Sequence, residues 1–317
     1  MKIGVTFDYE QCTNLGLDWK EVLNYTVKFG IPIVRIGLKW SKIETEKGKF
    51  NWSVYDEILQ FLERNNTKVI LCLGMKSPRW PEFFIPEWLG FKGYKGFKVQ
   101  NNNDILRQRL FLFLEKAIKR YLEFKSISTI QLENEPLLKS GPQKGRIDQL
   151  FLIEEFSYLK TLTNLKIILN AQALPTTGII AEYLKGRNEY KKKLIEICDA
   201  FGMNIYERFE GKTLGGFKKT FRAGKFVWRY LKSLINHANI YKKEIVVTEL
   251  QAEPWQFGEV DLKDAYANRT CNPKMVLQNI QRVKNLGIET ILLWGFEFHI
   301  ACKMMGNDEW VKLLYKN

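Results

Sequence analysis

The sequence predicts an α/β fold, a single (β/α)8 TIM barrel spanning residues 1–317, and two observations predict it. Short β-rich runs alternate eight times with longer amphipathic stretches, and nothing is left over for a second domain. The first run leads into Phe7-Asp8-Tyr9-Glu10, not into the glycine-rich phosphate turn that an open doubly wound sheet carries there. A chain of 317 residues exceeds the about 250 typical of such a barrel. The excess fits into long connections at residues 74–103 and 136–146, on the face where barrels of this kind keep their active sites.

The units follow in order. Residues 3–7 form the first strand and 18–29 its helix; 32–38 and 54–64 form the second pair, and 68–73 and 104–123 the third. The fourth is 129–132 with 148–162, the fifth 166–169 with 179–198, and the sixth 200–205 with 219–236. The seventh is 244–248 with 274–285, and the eighth is 290–293 with a short last helix near 309–314. The 74–103 connection shows no obvious strand of its own, and a loop of that length is usually functional. With Trp80, Phe83, Phe84, Trp88 and Phe91, it is expected to wall the substrate cleft.

Composition removes several classes of function. Hydrophobic residues at 45% and charged residues at 26% are ordinary for a globular chain and exclude a disordered or fibrous one. With only two histidines, His237 and His299, a barrel built around several His-ligated metals is excluded, and no metal or organic cofactor is expected. The five cysteines are odd in number and scattered, against a disulfide framework or a zinc ribbon. The net charge of +14 would attract a polyanion by its field, but the charges are dispersed and no nucleic-acid motif accompanies them, so no nucleic-acid partner is expected. No apolar run approaches a membrane span. For the chain as given, with no signal peptide before its first strand, the expectation is a cytoplasmic protein; secretion would need an upstream segment. Sequons at Asn24, Asn51, Asn65 and Asn268 are read as chance matches.

Catalytic groups of such barrels project from the carboxyl ends of strands. Strand four ends Gln131-Leu132-Glu133-Asn134-Glu135-Pro136, and strand seven ends Thr248-Glu249-Leu250-Gln251-Ala252-Glu253-Pro254-Trp255. One carboxyl group at each of two non-adjacent strand ends is what glycosidic bond cleavage requires, one to protonate the leaving oxygen and one to attack the anomeric carbon or activate water. Glu253 is the rival of Glu249 in the same loop. Glu133 lies on the same strand face as Glu135 and is expected to be a buried carboxylate paired with a cation.

Asn134-Glu135-Pro136 after strand four, with Glu249 after strand seven, resembles the retaining glycoside hydrolases of clan A, the 4/7 superfamily. That clan includes cellulase-like family 5 enzymes, β-galactosidases and β-xylosidases. The resemblance implies that Glu135 is the acid/base, Glu249 the nucleophile and Asn134 the partner of the sugar 2-hydroxyl. It further implies that Arg35, ending strand two, and Tyr206, after strand six, lie beside Glu249, and that Trp294, ending strand eight, floors the sugar site. Trp40-Ser41-Lys42-Ile43-Glu44, Gly48-Lys49-Phe50-Asn51-Trp52 and Asp56 resemble the second βα loop of several clan families. In the third loop Lys76 stands where a polar sugar contact is expected, and Trp80 and Trp255 are candidates for stacking on sugars. Glu297 and His299 follow Trp294 without an assigned role.

The implied activity is that of a retaining β-glycosidase acting on a β-linked oligo- or polysaccharide, with its two carboxyl groups about 5–5.5 Å apart. The sequence leaves two alternatives from other classes: a catalytically silent carbohydrate-binding barrel and a polyanion-binding protein using its basic surface.

Overall fold

A computed structural model describes residues 1–91, 95–100, 102–172, 187–212, 216–222 and 224–315. Eight parallel strands close into a barrel: Lys2–Phe7, Ile33–Gly37, Lys68–Leu73, Ile127–Leu132, Lys166–Gln172, Ala200–Ile205, Glu244–Gln251 and Thr290–Trp294. Each neighbours the next in sequence, and strand eight returns to strand one, with Lys2 opposite Thr290 and Val5 opposite Leu293. The predicted fold class is therefore the observed one. The register of strands seven and eight shifts between Val247 and Leu250, an irregularity of the kind that re-aims side chains near active sites. Strand one leaves room for no side chain at Gly4, where an ideal Cβ would lie 2.3 Å from the Ile33 carbonyl oxygen.

The chain forms two compact parts, Met1–Arg35 with Gln172–Lys192 and Gly202–Asn317, and Ile36–Ala171 with Lys193–Phe201. In the second part the segment after strand two is scaffold. Trp40 and Phe113 are fully buried and stacked at 5.5 Å, and Trp52 stacks on Phe113 at 5.9 Å. Glu44 accepts from the Trp40 indole at 2.8 Å and from Gly48 N–H at 2.8 Å, while its carbonyl accepts from the Trp88 indole at 2.9 Å. Asp56 receives Arg120 Nε at 2.8 Å and the Tyr121 hydroxyl at 3.1 Å. In the first part the core lies around strands one, seven and eight and the helix Phe296–Met304.

Several elements differ from expectation. The 74–103 connection has a strand of its own, Lys98–Val99, paired in parallel with Arg146–Ile147. Phe97 packs edge-on against Phe83 at 4.9 Å and Phe91 at 5.3 Å, and Gly145 fits because a Cβ there would meet the Phe97 ring at 2.2 Å. Residues 219–222 are not the start of a helix. They belong to a hairpin, Arg208–Lys212 with Lys218–Arg222, held by the cross-strand stack of Phe209 on Phe221 at 5.3 Å; the helix is Lys225–Ile240. The helix expected over 179–198 is seen as Arg187–Ile197, and residues 179–186 lie outside the described ones. The helix after strand eight is Phe296–Met304, and the stretch near 309–314 is a single 3-10 turn, Val311–Leu313. Among the described residues no helix is long and apolar enough to cross a membrane.

Candidate active site

Glu249 sits at the carboxyl end of strand seven and is buried. Its Oε1 receives Arg35 Nη1 at 2.8 Å and its Oε2 receives the Tyr206 hydroxyl at 2.6 Å. Arg35 is fully buried in an otherwise apolar strand, a position that requires a paired charge. Its guanidinium also reaches the Thr248 carbonyl at 3.4 Å and the Thr6 hydroxyl at 3.5 Å. The Thr248 hydroxyl donates to Asn204 Oδ1 at 2.6 Å. The expected grouping of Arg35, Tyr206 and Glu249 is thus present. Thr6, Asn204 and Thr248 complete it, and each is a polar residue inside an apolar strand run, the signal by which the sequence marks them.

The loop after strand seven is fastened on both sides. Trp294 donates its indole N–H to Glu253 Oε1 at 2.7 Å. Glu253 packs so closely on Gly295 (φ +106°) that a Cβ there would lie 2.6 Å from Glu253 Cβ, so Glu253 is bound to Trp294. The Trp255 ring lies 5.0 Å from that of Tyr206, tilted by 44°, and is 55% exposed. The hairpin after strand six docks here: Gln251 bonds the backbone N–H and carbonyl of Arg208 at 3.0 and 2.6 Å, and Glu210 N–H donates to the Trp255 carbonyl at 3.0 Å. The Arg269 guanidinium, forked on Glu210 at 2.7 and 3.0 Å, lowers that carboxyl to about 2. Glu297 accepts Asp8 N–H at 2.6 Å, and His299 Nε2 donates to the Ala252 carbonyl at 2.7 Å while its ring stacks on Trp310 at 5.4 Å. Burial pulls His299 down to about 4. Both residues brace the backbone.

At the end of strand four, Glu133 and Glu135 adopt the left-handed backbone conformation, φ +57° and +48°, on either side of Asn134. Such angles are uncommon for residues with a Cβ and need support from their surroundings. Asn170, from strand five, supplies some of it: its Oδ1 accepts Glu135 N–H at 2.7 Å and its Nδ2 donates to Asn134 Oδ1 at 2.9 Å. Asn170 lay one residue beyond the predicted strand and was missed for that reason. Lys76 supplies more. Its ammonium donates to the carbonyls of Glu135 at 2.8 Å and Leu138 at 3.2 Å and pairs with Glu82 at 3.6 Å. Lys76 is fully buried. The sugar contact expected of it is corrected: its donors are used inside the protein. Burial lowers its pKa, and the charges of Glu82, Glu135 and Glu133 oppose that shift. Glu133 is buried as expected. Its carboxyl accepts the backbone N–H groups of Met75 and Lys76; among the described residues no ion pair joins it to the Lys76 ammonium, whose charge nevertheless acts on it. Trp80, on the same loop, is 70% exposed.

Among the described residues no group of three or more His, Cys, Asp or Glu is arranged to hold a metal ion. All five cysteines are buried and unbridged.

Residues 7–144 match the family described as Beta-galactosidase, glycoside hydrolase family 42. That span is less than half of the chain; it contains Arg35, Asn134 and Glu135 and stops short of Glu249. No curated protein sequence matches the chain. Among solved structures, a β-glucosidase from Exiguobacterium marinum superposes with a TM-score of 0.57 at 13% identity, covering 87% of this chain and 77% of its own. A β-glycosidase from Pyrococcus horikoshii gives 0.60 at 16% identity, over 92% and 83%. The β-galactosidase from Rahnella sp. R3 gives 0.62 at 14% identity over 93% of this chain, which spans only 50% of the longer enzyme. At these identities the superpositions show a shared fold. The resemblance to the clan A glycoside hydrolases carried by the strand-end motifs is therefore met by a β-galactosidase family match over residues 7–144 and by the barrel common to these glycosidases.

Proposed function

We propose that this chain is a retaining β-glycosidase working as one catalytic domain. The family match and the β-glycosidases that share the fold support a glycoside hydrolase acting on β-linked sugars. The observation that carries the finer reading is Glu249, a buried carboxylate at a strand end with a guanidinium on one oxygen and a phenol on the other.

In this reading Glu249 attacks the anomeric carbon while Glu135 gives its proton to the departing glycosidic oxygen. A glycosyl ester on Glu249 and a free alcohol result. Glu135, now a carboxylate, takes a proton from water as the water oxygen displaces Glu249 from the anomeric carbon, which returns both groups to their starting state with net retention. Arg35 and Tyr206 fix the attacking carboxylate in one orientation, so little reorganisation remains at the moment of reaction. In the same reading Asn134, held by Asn170, bonds the 2-hydroxyl, and the Trp294 face carries the sugar ring. Trp80 and Trp255, exposed on their loops, serve further sugar units by stacking.

The test is a screen of aryl β-glycosides together with β-glucan, mannan, xylan and galactan, followed by trapping with the 2-fluoro analogue of the sugar that is cleaved. Label on Glu249 supports the assignment. Label on Glu253 moves the nucleophile four residues along, and an absence of turnover on all substrates favours the silent carbohydrate-binding barrel.

A further inference from the structure

Glu133 is fully buried and both of its carboxyl oxygens are occupied by backbone donors, Met75 N–H on Oε1 at 2.8 Å and Lys76 N–H on Oε2 at 2.5 Å. The loop that wraps it starts at Gly74, where φ is +131° and an ideal Cβ would lie 2.3 Å from the Glu133 carboxyl carbon, so glycine alone fits. The helix Gln149–Leu162 brings up Glu155, also fully buried. Among the described residues neither Glu155 oxygen meets an N–H or hydroxyl donor. What it does meet is the Glu133 carboxyl. Two carboxyl groups hydrogen bond only with a proton between them, since an ionised carboxylate is an acceptor alone.

We propose that Glu133 and Glu155 share one proton, carried on Glu155, and that this pair is a positioning device for Glu135. The proton belongs on Glu155 because Glu133 already accepts two N–H groups, which suits a carboxylate, and Glu155 accepts none. The connection to Glu135 runs through named bonds. Glu133 fixes the backbone of residues 75 and 76, and the Lys76 ammonium then holds the carbonyls of Glu135 and Leu138. Glu133 and Glu135 also share the strained left-handed backbone of one strand end. The positioning role rests on the reading of Glu135 as acid/base; the shared proton does not.

The charges facing the pair are the Lys76 ammonium and, next to it, Glu82 and Glu135. Burial raises both members, Glu133 to about 7 and Glu155 well above the usual carboxylate range. One proton therefore stays on the pair at neutrality, and its loss puts two negative charges into a closed space. Both folded values exceed the unfolded ones, so the folded state binds more protons. Stability conferred by the pair is full at acid pH and is lost as pH rises through neutrality and beyond.

The first experiment is infrared difference spectroscopy of the whole protein at neutral pH, wild type minus Glu155→Gln. A protonated-carboxyl carbonyl band present in wild type and missing in the variant is expected; its absence from wild type overturns the shared proton, whatever the activity. Chemical unfolding across pH is the second readout: Glu155→Gln keeps an N–H donor and has no proton to lose, so the alkaline decline in stability should flatten, and an unchanged decline overturns the proposal. With a glycoside that the wild type cleaves, Glu155→Leu should lower kcat by roughly tenfold or more with KM little changed. Glu155→Gln should restore most of kcat and move the alkaline limb of the pH profile upward. Glu133→Gln should not restore it, because its amide would set N–H against the N–H of Met75 or Lys76. Equal damage from the two glutamine variants would overturn the positioning role. A wild type inactive on every glycoside would remove that role together with the glycosidase reading, while the infrared result would still decide the proton.

Discussion

Arg35 Nη1 lies 2.8 Å from Glu249 Oε1, and both side chains are almost completely withdrawn from solvent. The pair is thus structural as well as part of the proposed reaction. Because Arg35 is completely buried, removing it leaves an uncompensated buried charge at a cost of about 3–5 kcal/mol. Arg35→Met should be both inactive and destabilised by that order in urea unfolding. Adding Glu249→Gln should recover much of the stability and none of the activity. A single variant as stable as wild type would contradict the paired burial.

Tyr206→Phe separates the two contributions. It deletes one hydroxyl, leaves the ring against Trp255 and keeps the Arg35 contact. Stability should fall by about 1 kcal/mol, while kcat falls about 10²-fold or more if the phenol orients the attacking oxygen. Equal proportional losses in kcat and in the folding constant would assign Tyr206 a packing role alone.

Lys76→Met should destabilise the strand-four end by leaving the carbonyls of Glu135 and Leu138 without a buried donor, about 1–3 kcal/mol. If Lys76 instead bonded sugar, KM would rise with stability unchanged. Thermal unfolding beside steady-state kinetics distinguishes the two.

Trp80→Ala removes a ring that is 70% exposed, so its effect on stability should stay within about 0.5 kcal/mol. KM for oligomeric substrates should rise, and aryl monoglycosides should be affected less. Unchanged KM on every oligomer would take Trp80 out of the cleft wall.

Stereochemistry tests the division of labour between the carboxyls. Product formed first from a β-linked substrate should be β-configured by NMR. Glu135→Ala should still be glycosylated by a substrate with a good leaving group, and azide should then release the β-glycosyl azide. Glu249→Gly has no nucleophile, so azide should give the α-azide from an activated β-glycoside. An α-configured first product from the wild type would exclude double displacement.

The sequence by itself determined the barrel and the order of its strands, although strands five and seven run three residues past their expected ends, to Gln172 and Gln251. Runs such as Val69-Ile70-Leu71-Cys72-Leu73 are strands because parallel strands covered on both faces are apolar throughout, and polar residues at their ends stand out against that background. Glu135 and Glu249 were legible for this reason, Arg35 and Tyr206 through the resemblance to the clan A glycoside hydrolases. What each polar group bonds to was not legible, since a partner is fixed by register and by helices far away in the chain. Only the tertiary structure could turn Lys76 from a sugar contact into a clamp on the Glu135 carbonyl, or set Glu155, at an ordinary position in an amphipathic helix, against Glu133. The hairpin at 208–222 was missed because its stability comes from the Phe209–Phe221 stack and from Gln251, none of which is local to the residues 219–222 read as helix. Burial is decided by everything packed around a group, and it is burial that makes a lone carboxyl hold its proton.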